Sequence, residues 1–346
     1  MAYKKVQFIA WVIHTGPAAD PKDKTKQIYK GLKNSAEDIA ERVKLVTQVI
    51  DQAKAAIGHS QTESDTLKIF MMPEFFFRGP TGAYDMDDVA TLVAALQAAV
   101  KDASWKDWLF VFGSIVGKSF TTKEQSFFLR LFGPRFVVDT SKPVEIYNYC
   151  LIQKGGFGNA SGAGPASARA VMKQLKSGMD FIPKAKLSGS EIPFERAKPL
   201  EPTREFGTTS DIQITNYDGS SIFQIDGLTY GLEVCLDHLK QRLKNVAKLP
   251  PIDIQLVPSC GASIQNNAIV AKKDGFVFNC DGYADYDRQV LGGNSALVKV
   301  GTGAVTAPKS FTAVSSARAS DLYGQGAGEI RVYPTQVLSQ SMVSKL

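Results

Sequence analysis

Three short apolar runs, Val6–Ile13, Leu67–Met72 and Leu109–Val116, are separated by two segments with helical periodicity, and this alternation constrains the fold more than any other feature of the chain. Runs of this length read as buried strands. Between the first two, Ser35–Ile57 places Ile39, Val43, Val46, Ile50 and Ala53 on one helical stripe, and Ser35 with Asp38 predicts a capping box. Between the second and third, Asp87–Val100 predicts another helix, capped by Asp87. Strand, helix, strand, helix, strand is the signature of layered α/β architecture.

The middle of the chain has a different texture. Phe127–Val138 and Val144–Gln153 read as strands, joined through Gly133-Pro134 and Ser141-Lys142-Pro143. Gly155–Ala170 then holds twelve Gly, Ala or Ser in sixteen residues, which predicts a linker or lid-like insertion. Its Gly156-Phe157-Gly158 lacks the third glycine of a phosphate loop. Further on, Ser221–Ile225 and Thr229–Val234 predict a hairpin turning at Asp226-Gly227. A polar helix over Asp237–Lys248, stopped by Pro250-Pro251, is expected next. A strand over Ile252–Val257, a helix over Ile264–Lys273 and a strand over Phe276–Asn279 follow. Ser295–Val300 and Ala304–Thr306 close the core around Gly301-Thr302-Gly303. No repeat and no clear linker divides the chain, so residues 1–346 are expected to form one domain, with insertions near 155–180 and 196–211.

Composition removes several functional classes. The chain of 346 residues has 40 Lys plus Arg against 34 Asp plus Glu, a net charge of +6. The basic residues are spread along the chain, which argues for a solvated surface and against a nucleic-acid patch. No run of eighteen apolar residues exists, so no membrane span is expected. The first apolar run contains Gln7 and is followed by His14, which favours a strand over a signal peptide. Cys150, Cys235, Cys260 and Cys280 form no CxxC pair and read as free thiols of a cytoplasmic protein. There is no HExxH and no His/Cys cluster, so neither metal nor cofactor is expected. There is no GxSxG elbow either.

The residues able to carry chemistry are few. Cys235 ends an apolar strand where a helix begins. There the free N–H groups of a helix start favour a thiolate, and the Leu236 N–H could face an oxyanion. Taken alone, Cys235 also reads as a buried structural thiol. His238 follows three residues later, across the strand-to-helix boundary, a poor place for a Cys-His pair. Glu74 follows the second strand in Met72-Pro73-Glu74-Phe75-Phe76-Phe77. The carboxyl end of a strand is where open α/β sheets place ligands, and the flanking phenylalanines would desolvate a general base. Lys184 and Lys186, taken alone, read as solvated lysines. Lys173 and Lys176, three apart, read as sharing the solvated face of a short helix.

In order along the chain, these weak signals make a pattern. Val6–Ile13, Met72-Pro73-Glu74-Phe75, Phe112-Gly113-Ser114, Ile146-Tyr147-Asn148-Tyr149, Lys184-Ala185-Lys186-Leu187, Gly231-Leu232-Glu233-Val234-Cys235-Leu236-Asp237 and Gly292-Gly293-Asn294-Ser295 together resemble the nitrilase superfamily of carbon–nitrogen hydrolases. The resemblance implies a four-layer αββα sandwich and a Glu-Lys-Cys triad of Glu74, Lys184 and Cys235, with Glu191 as a second, orienting glutamate. It also implies an amide or nitrile as small-molecule substrate, a Cys235 thioester, and pairing into a homodimer or higher oligomer through the helix after the nucleophile. Arg78 is expected to pair a substrate carboxylate. The wide Glu74–Lys184 and Lys184–Cys235 intervals depart from the family, as does the absence of its Arg-Ala-x-Glu-Asn pattern in Ser263–Asn279. A soluble acyltransferase using the same thioester, and a non-catalytic binding protein on the same fold, are the alternatives.

Overall fold

The structure, a computed structural model, describes residues 3–20, 22–23, 27–57, 65–125, 130, 134–158, 167–177, 184–187, 190–196, 221–246, 249–285, 290–305, 309–313, 319–323 and 326–343. Its major elements are β1 (Lys5–Val12), α1 (Ser35–Ala56), β2 (Thr66–Met71), α2 (Met86–Val100), β3 (Trp108–Ser119), β4 (Val144–Lys154), β5 (Ala168–Met172), β6 (Lys184–Leu187), β7 (Ser190–Arg196), β8 (Ile222–Ile225), β9 (Leu228–Leu232), α3 (Leu236–Leu239), β10 (Ile252–Ser259), β11 (Ala271–Asp281), β12 (Ala296–Lys299), β13 (Gly303–Ala304), β14 (Lys309–Thr312) and β15 (Glu329–Val332).

Two sheets carry the molecule. The larger runs in the order β6-β7-β4-β3-β2-β1-β15-β14, and the smaller β8-β9-β10-β11-β12-β13. β1, β2 and β3 are parallel, with Ile9 opposite Phe70 and Phe70 opposite Phe110, while β3 and β4 are antiparallel. In the smaller sheet, β9, β10 and β11 are parallel. Residues of alternate parity on a strand face opposite sides. Phe8, Ala10, Ile69, Met71 and Val111 meet Tyr230, Leu232, Ile254, Leu256 and Phe278 in the core between the sheets. Ile9, Trp11, Phe70 and Phe110 meet Ile39, Leu45, Val46, Val49, Leu92 and Leu96 of the two long helices on the outer face. Strands covered on both faces need apolar residues at every position, which is why the three runs are continuous rather than alternating.

The helix–sheet–sheet–helix order expected of the sequence is therefore present. Its fourth layer is thin among the described residues, consisting of α3, the turns after it and a 3-10 turn at Asn266–Ala268.

Several local expectations are corrected. The N-cap of α1 is Asn34, whose side chain accepts the Glu37 N–H at 3.0 Å. Asp38 is instead buried and accepts from Arg42 Nε at 2.6 Å. α2 starts at Met86, after Asp85. Of Phe127–Val138, the described strand is Phe136–Val138, paired with Thr122–Glu124; residues 126–129 and 131–133 lie outside the described set. The glycine-rich stretch ends in β5, a buried strand of the larger sheet, so part of the expected 155–180 insertion belongs to the core. Residues 159–166 of it, and 197–220 covering nearly all of the second insertion, also lie outside the described set.

The helix expected over Asp237–Lys248 stops after Leu239. Gln241 takes φ of 58°, and the Leu243 N–H donates to the Glu233 carboxylate at 2.7 Å rather than to a helical carbonyl. The helical spacing of Leu239, Leu243, Val246 and Leu249 predicts an apolar stripe for subunit pairing, but Leu243 is fully buried while Leu239 is 37% exposed, so they do not form one helical face. The helix expected over Ile264–Lys273 yields to side-chain competition. The Gln265 N–H donates to His238 Nε2 and the Val270 N–H to Gln255 Oε1, and β11 begins at Ala271. The hairpin turn is as expected, with φ of 50° at Asp226 and 71° at Gly227.

Candidate active site

The carboxyl ends of β2, β9 and β10 converge. The last residues of β10 tie the other two together. The Pro258 carbonyl accepts the Cys235 N–H at 3.1 Å, and the Ser259 carbonyl accepts the Glu74 N–H at 3.3 Å. One strand end thus fixes the backbones of the expected base and nucleophile.

Glu74 is held by the motifs around it. β3 carries an irregularity between Val111 and Ser114, with Gly113 at φ of 60°. A Cβ on Gly113 would lie 2.1 Å from the Pro73 carbonyl oxygen, so only glycine admits the Glu74 segment at this distance. Ser114 Oγ then accepts the Phe75 N–H at 2.9 Å. Phe75 itself has φ of 66°, and its neighbour Phe76 presents a carbonyl to Arg42 Nη1 at 2.7 Å. The Phe-Gly-Ser and Pro-Glu-Phe motifs are therefore two halves of one support.

The Glu74 carboxylate is completely buried. Its Oε1 accepts from Lys173 Nζ at 2.9 Å and from Asn148 Nδ2 at 3.1 Å. Lys173 follows β5 directly, and its N–H donates to the Asn148 carbonyl at 2.8 Å. The antiparallel pairing of β5 with β4, with Met172 opposite Tyr149, delivers the lysine to this place. Lys173 is 0% exposed, which corrects the reading of it as a solvated helical lysine. Lys184 and Lys186 stand in β6, whose partner β7 holds Glu191 opposite Lys186 and pairs with the first residues of β4. The side chains of Lys184, Lys186 and Glu191 lie outside the described set. Among the described side chains the lysine at Glu74 is Lys173; Lys184, which the sequence pattern expects there, has its side chain outside the described set.

Cys235 is 5% exposed and takes φ of 49° and ψ of −104° at the junction of β9 and α3. A non-glycine residue in this region is strained, a condition that recurs at functional sites. Its Sγ lies 3.8 Å from the Cys260 carbonyl. Burial pushes the Cys235 thiol well above the ordinary range; the Glu74 charge pushes the same way and the Lys173 charge opposes both. The resting thiol is therefore protonated at neutral pH and needs a base. Leu236, half-buried, is the first residue of α3.

His238 does not serve Cys235. Its Nε2 accepts the Gln265 N–H at 3.0 Å, so its Nδ1 carries the proton and donates to Glu233 at 2.9 Å. Arg78 is 2% exposed, and its guanidinium carbon sits 3.7 Å from the Tyr29 ring centroid and 4.4 Å from that of Phe75. With His14, Thr15 and Lys30 it lines a small cavity of about 10 Å³. Phe75 stands between this cavity and the Lys173–Glu74 pair, its centroid 5.4 Å from Lys173 Nζ. No group of residues able to hold a metal ion occurs among the described residues. No described helix is long and apolar enough to cross a membrane.

The sequence pattern assigns no site role to Lys173, Asn148 or Ser114, which the structure gathers around the Glu74 segment. The usable signal for Lys173 was Ala168–Met172, which ends apolar and strand-like despite its glycine- and alanine-rich approach.

No protein-family model and no curated protein sequence matches the chain. Among solved structures it is similar to Saccharomyces cerevisiae Nit3, a member of branch 10 of the nitrilase superfamily, at 13% identity, covering 99% of this chain and 93% of that one with a TM-score of 0.45. It is similar to an amidase from Nesterenkonia sp. at 12% identity, covering 96% and 91% with a TM-score of 0.41. It is also similar to a variant of the Nesterenkonia AN1 amidase from the nitrilase superfamily, at 11% identity, covering 100% and 95% with a TM-score of 0.42.

Proposed function

We propose that the protein is a thiol-dependent carbon–nitrogen hydrolase of the nitrilase type, acting on an amide through Glu74, Lys173 and Cys235. The observation that carries this reading is the wholly buried Lys173–Glu74 pair at the strand ends that also hold the strained Cys235. Desolvating two charges is expensive, and well-packed apolar residues would stabilise the same volume at least as well. A buried pair beside a strained thiol is therefore a mark of chemistry more than of stability.

In this mechanism Glu74 takes the Cys235 proton as the thiolate attacks the amide carbon. Lys173, in the role the sequence pattern gave Lys184, and the Leu236 N–H hold the charge that forms on the carbonyl oxygen. Glu74 returns the proton to the nitrogen, the carbon–nitrogen bond breaks, and the amine leaves. The thioester that remains is attacked by water, whose proton goes to Glu74. Collapse of this second adduct expels the thiolate, which regains a proton, and releases the carboxylic acid. Arg78, four residues after Glu74 and stacked on Phe75, is the proposed partner of an acidic group on the substrate. Glu191, opposite Lys186 on β7, is the proposed second, orienting glutamate, and the protein is proposed to pair into a homodimer or higher oligomer.

The test is ammonia release from a panel of amides and nitriles by the wild-type protein and by Cys235→Ala. Release from amides that vanishes in the variant supports the reading. Turnover retained by pure Cys235→Ala overturns it.

A further inference from the structure

Asp237 is buried with no exposed surface, two residues past the nucleophile. Its carboxylate reaches to the segment after Lys173. Oδ2 accepts the Gln174 N–H and Oδ1 the Leu175 N–H, both at 2.7 Å. These are short, charge-assisted bonds to consecutive backbone donors, the stronger kind of hydrogen bond. The residues they hold are otherwise at the surface: Leu175 is 37% exposed and Lys176 is exposed. On its other side Lys173 is tied to β4 by its own N–H on the Asn148 carbonyl. The lysine is thus suspended between two tethers, one to the larger sheet and one to the nucleophile's own turn.

We infer that Asp237 is a positioning residue, which fixes Lys173 on Glu74 and in register with Cys235 by binding the backbone that follows the lysine. The inference rests on the proposed Glu74-Lys173-Cys235 reading. It adds that the nucleophile turn and the lysine segment are joined through this carboxylate. β5 alone cannot supply this, because it fixes the chain only up to Met172. Loss of the Asp237 tether would let the backbone after Lys173 shift. A displacement of about 1 Å at a catalytic group can lower turnover about 10²-fold.

The experiment is a double-mutant cycle of Asp237→Asn and Lys173→Ala, read as turnover per Cys235 thiol titrated, together with the pH dependence of Cys235 alkylation by iodoacetamide. Asp237→Asn keeps the shape but turns one acceptor into a donor facing an N–H. We expect turnover to fall by about 10²-fold with little change in KM, the alkylation midpoint to move upward as Lys173 withdraws, and the Asn change to have almost no further effect in the Lys173→Ala background. Effects that multiply in the double variant, or an unmoved alkylation profile, overturn the inference while leaving the triad standing. If both single variants keep full turnover, the triad reading itself fails. Should Asp237→Asn not fold, hydrogen exchange on the wild-type protein decides. The Gln174 and Leu175 amides are expected to be protected despite their surface position, and rapid exchange at both overturns the inference.

Discussion

Lys173 Nζ and Glu74 Oε1 lie 2.9 Å apart, 99 residues apart in sequence, and neither side chain is exposed. Glu74 and burial raise the Cys235 thiol, and Lys173 counters them. Removing either partner therefore perturbs the nucleophile in opposite directions, which makes the arrangement unusually open to test.

The first prediction separates the lysines. Lys173→Ala is expected to lower turnover by about 10²–10³-fold or more, the effect of losing an oxyanion donor. Breaking a buried pair also destabilises by about 3–5 kcal/mol, so activity must be referred to folded protein. Lys184→Ala, in the edge hairpin β6–β7, is expected to keep most of its turnover. Kinetics on one amide substrate check both; the reverse order returns the role to Lys184.

The second prediction concerns Glu74→Gln. Loss of the carboxylate removes one of the causes that raise the Cys235 thiol and leaves Lys173, which lowers it. The pH midpoint for alkylation of Cys235 is expected to fall while turnover falls too, by about 10²–10⁴-fold, because no base remains. A thiol that becomes harder to ionise in this variant contradicts the electrostatic account.

Much of this was legible in the sequence. The continuous apolar runs marked strands covered on both faces, and Glu74 and Cys235 stood out because each follows such a run. Lys173 did not, because its strand follows a stretch rich in glycine and alanine and only five residues of it form β5. Its role depends on pairing with β4, a contact no local pattern encodes. The two overextended helices failed for another reason. Glu233, His238 and Gln255 form a buried network that takes the N–H groups of Leu243, Gln265 and Val270, and helical periodicity cannot reveal side chains that compete for backbone donors.

The third prediction concerns acid. Burial holds the His14 imidazole below its ordinary value of 6.5, against a smaller upward pull from hydrogen bonds with the Pro17 and Gly282 backbones. The folded state therefore binds fewer protons than the unfolded state as pH drops below that value. The stability contributed by neutral His14 is fully present above 6.5 and is lost progressively below it. Thermal unfolding of wild type and His14→Gln between pH 7.5 and about 5 is expected to show a flatter acid limb in the variant. Parallel limbs would assign the acid loss elsewhere.

The fourth prediction concerns Arg78. Its guanidinium is stacked between Tyr29 and Phe75, in a cavity walled also by His14 and Lys30. Arg78→Gln is expected to raise KM for amides with an acidic group and to leave neutral amides of similar size nearly unchanged. An equal rise for both would make Arg78 a packing residue, acting through the Phe75 ring.

The last prediction tests the support beneath the base. Gly113 has φ of 60°, and a Cβ there would sit 2.1 Å from the Pro73 carbonyl oxygen. Gly113→Ala therefore meets two penalties, a left-handed backbone that alanine disfavours and a clash with rigid backbone. Strain at such a position costs on the order of 1–3 kcal/mol. The clash can be relieved only by moving Pro73, the residue before Glu74, or by flattening the β3 irregularity and drawing Ser114 away from the Phe75 N–H it accepts at 2.9 Å. Either movement displaces the Glu74 carboxylate from Lys173 and Asn148. Turnover is therefore expected to fall further than the loss of folded protein explains, while Cys235 remains alkylatable. As a control, Gly303→Ala places alanine at φ of 97° with nothing within 4 Å of its Cβ. It should lower stability through backbone strain alone and leave turnover per folded molecule unchanged. If the two variants lose activity only in proportion to their folded fraction, Gly113 is a folding residue and the Glu74 segment does not depend on its close approach.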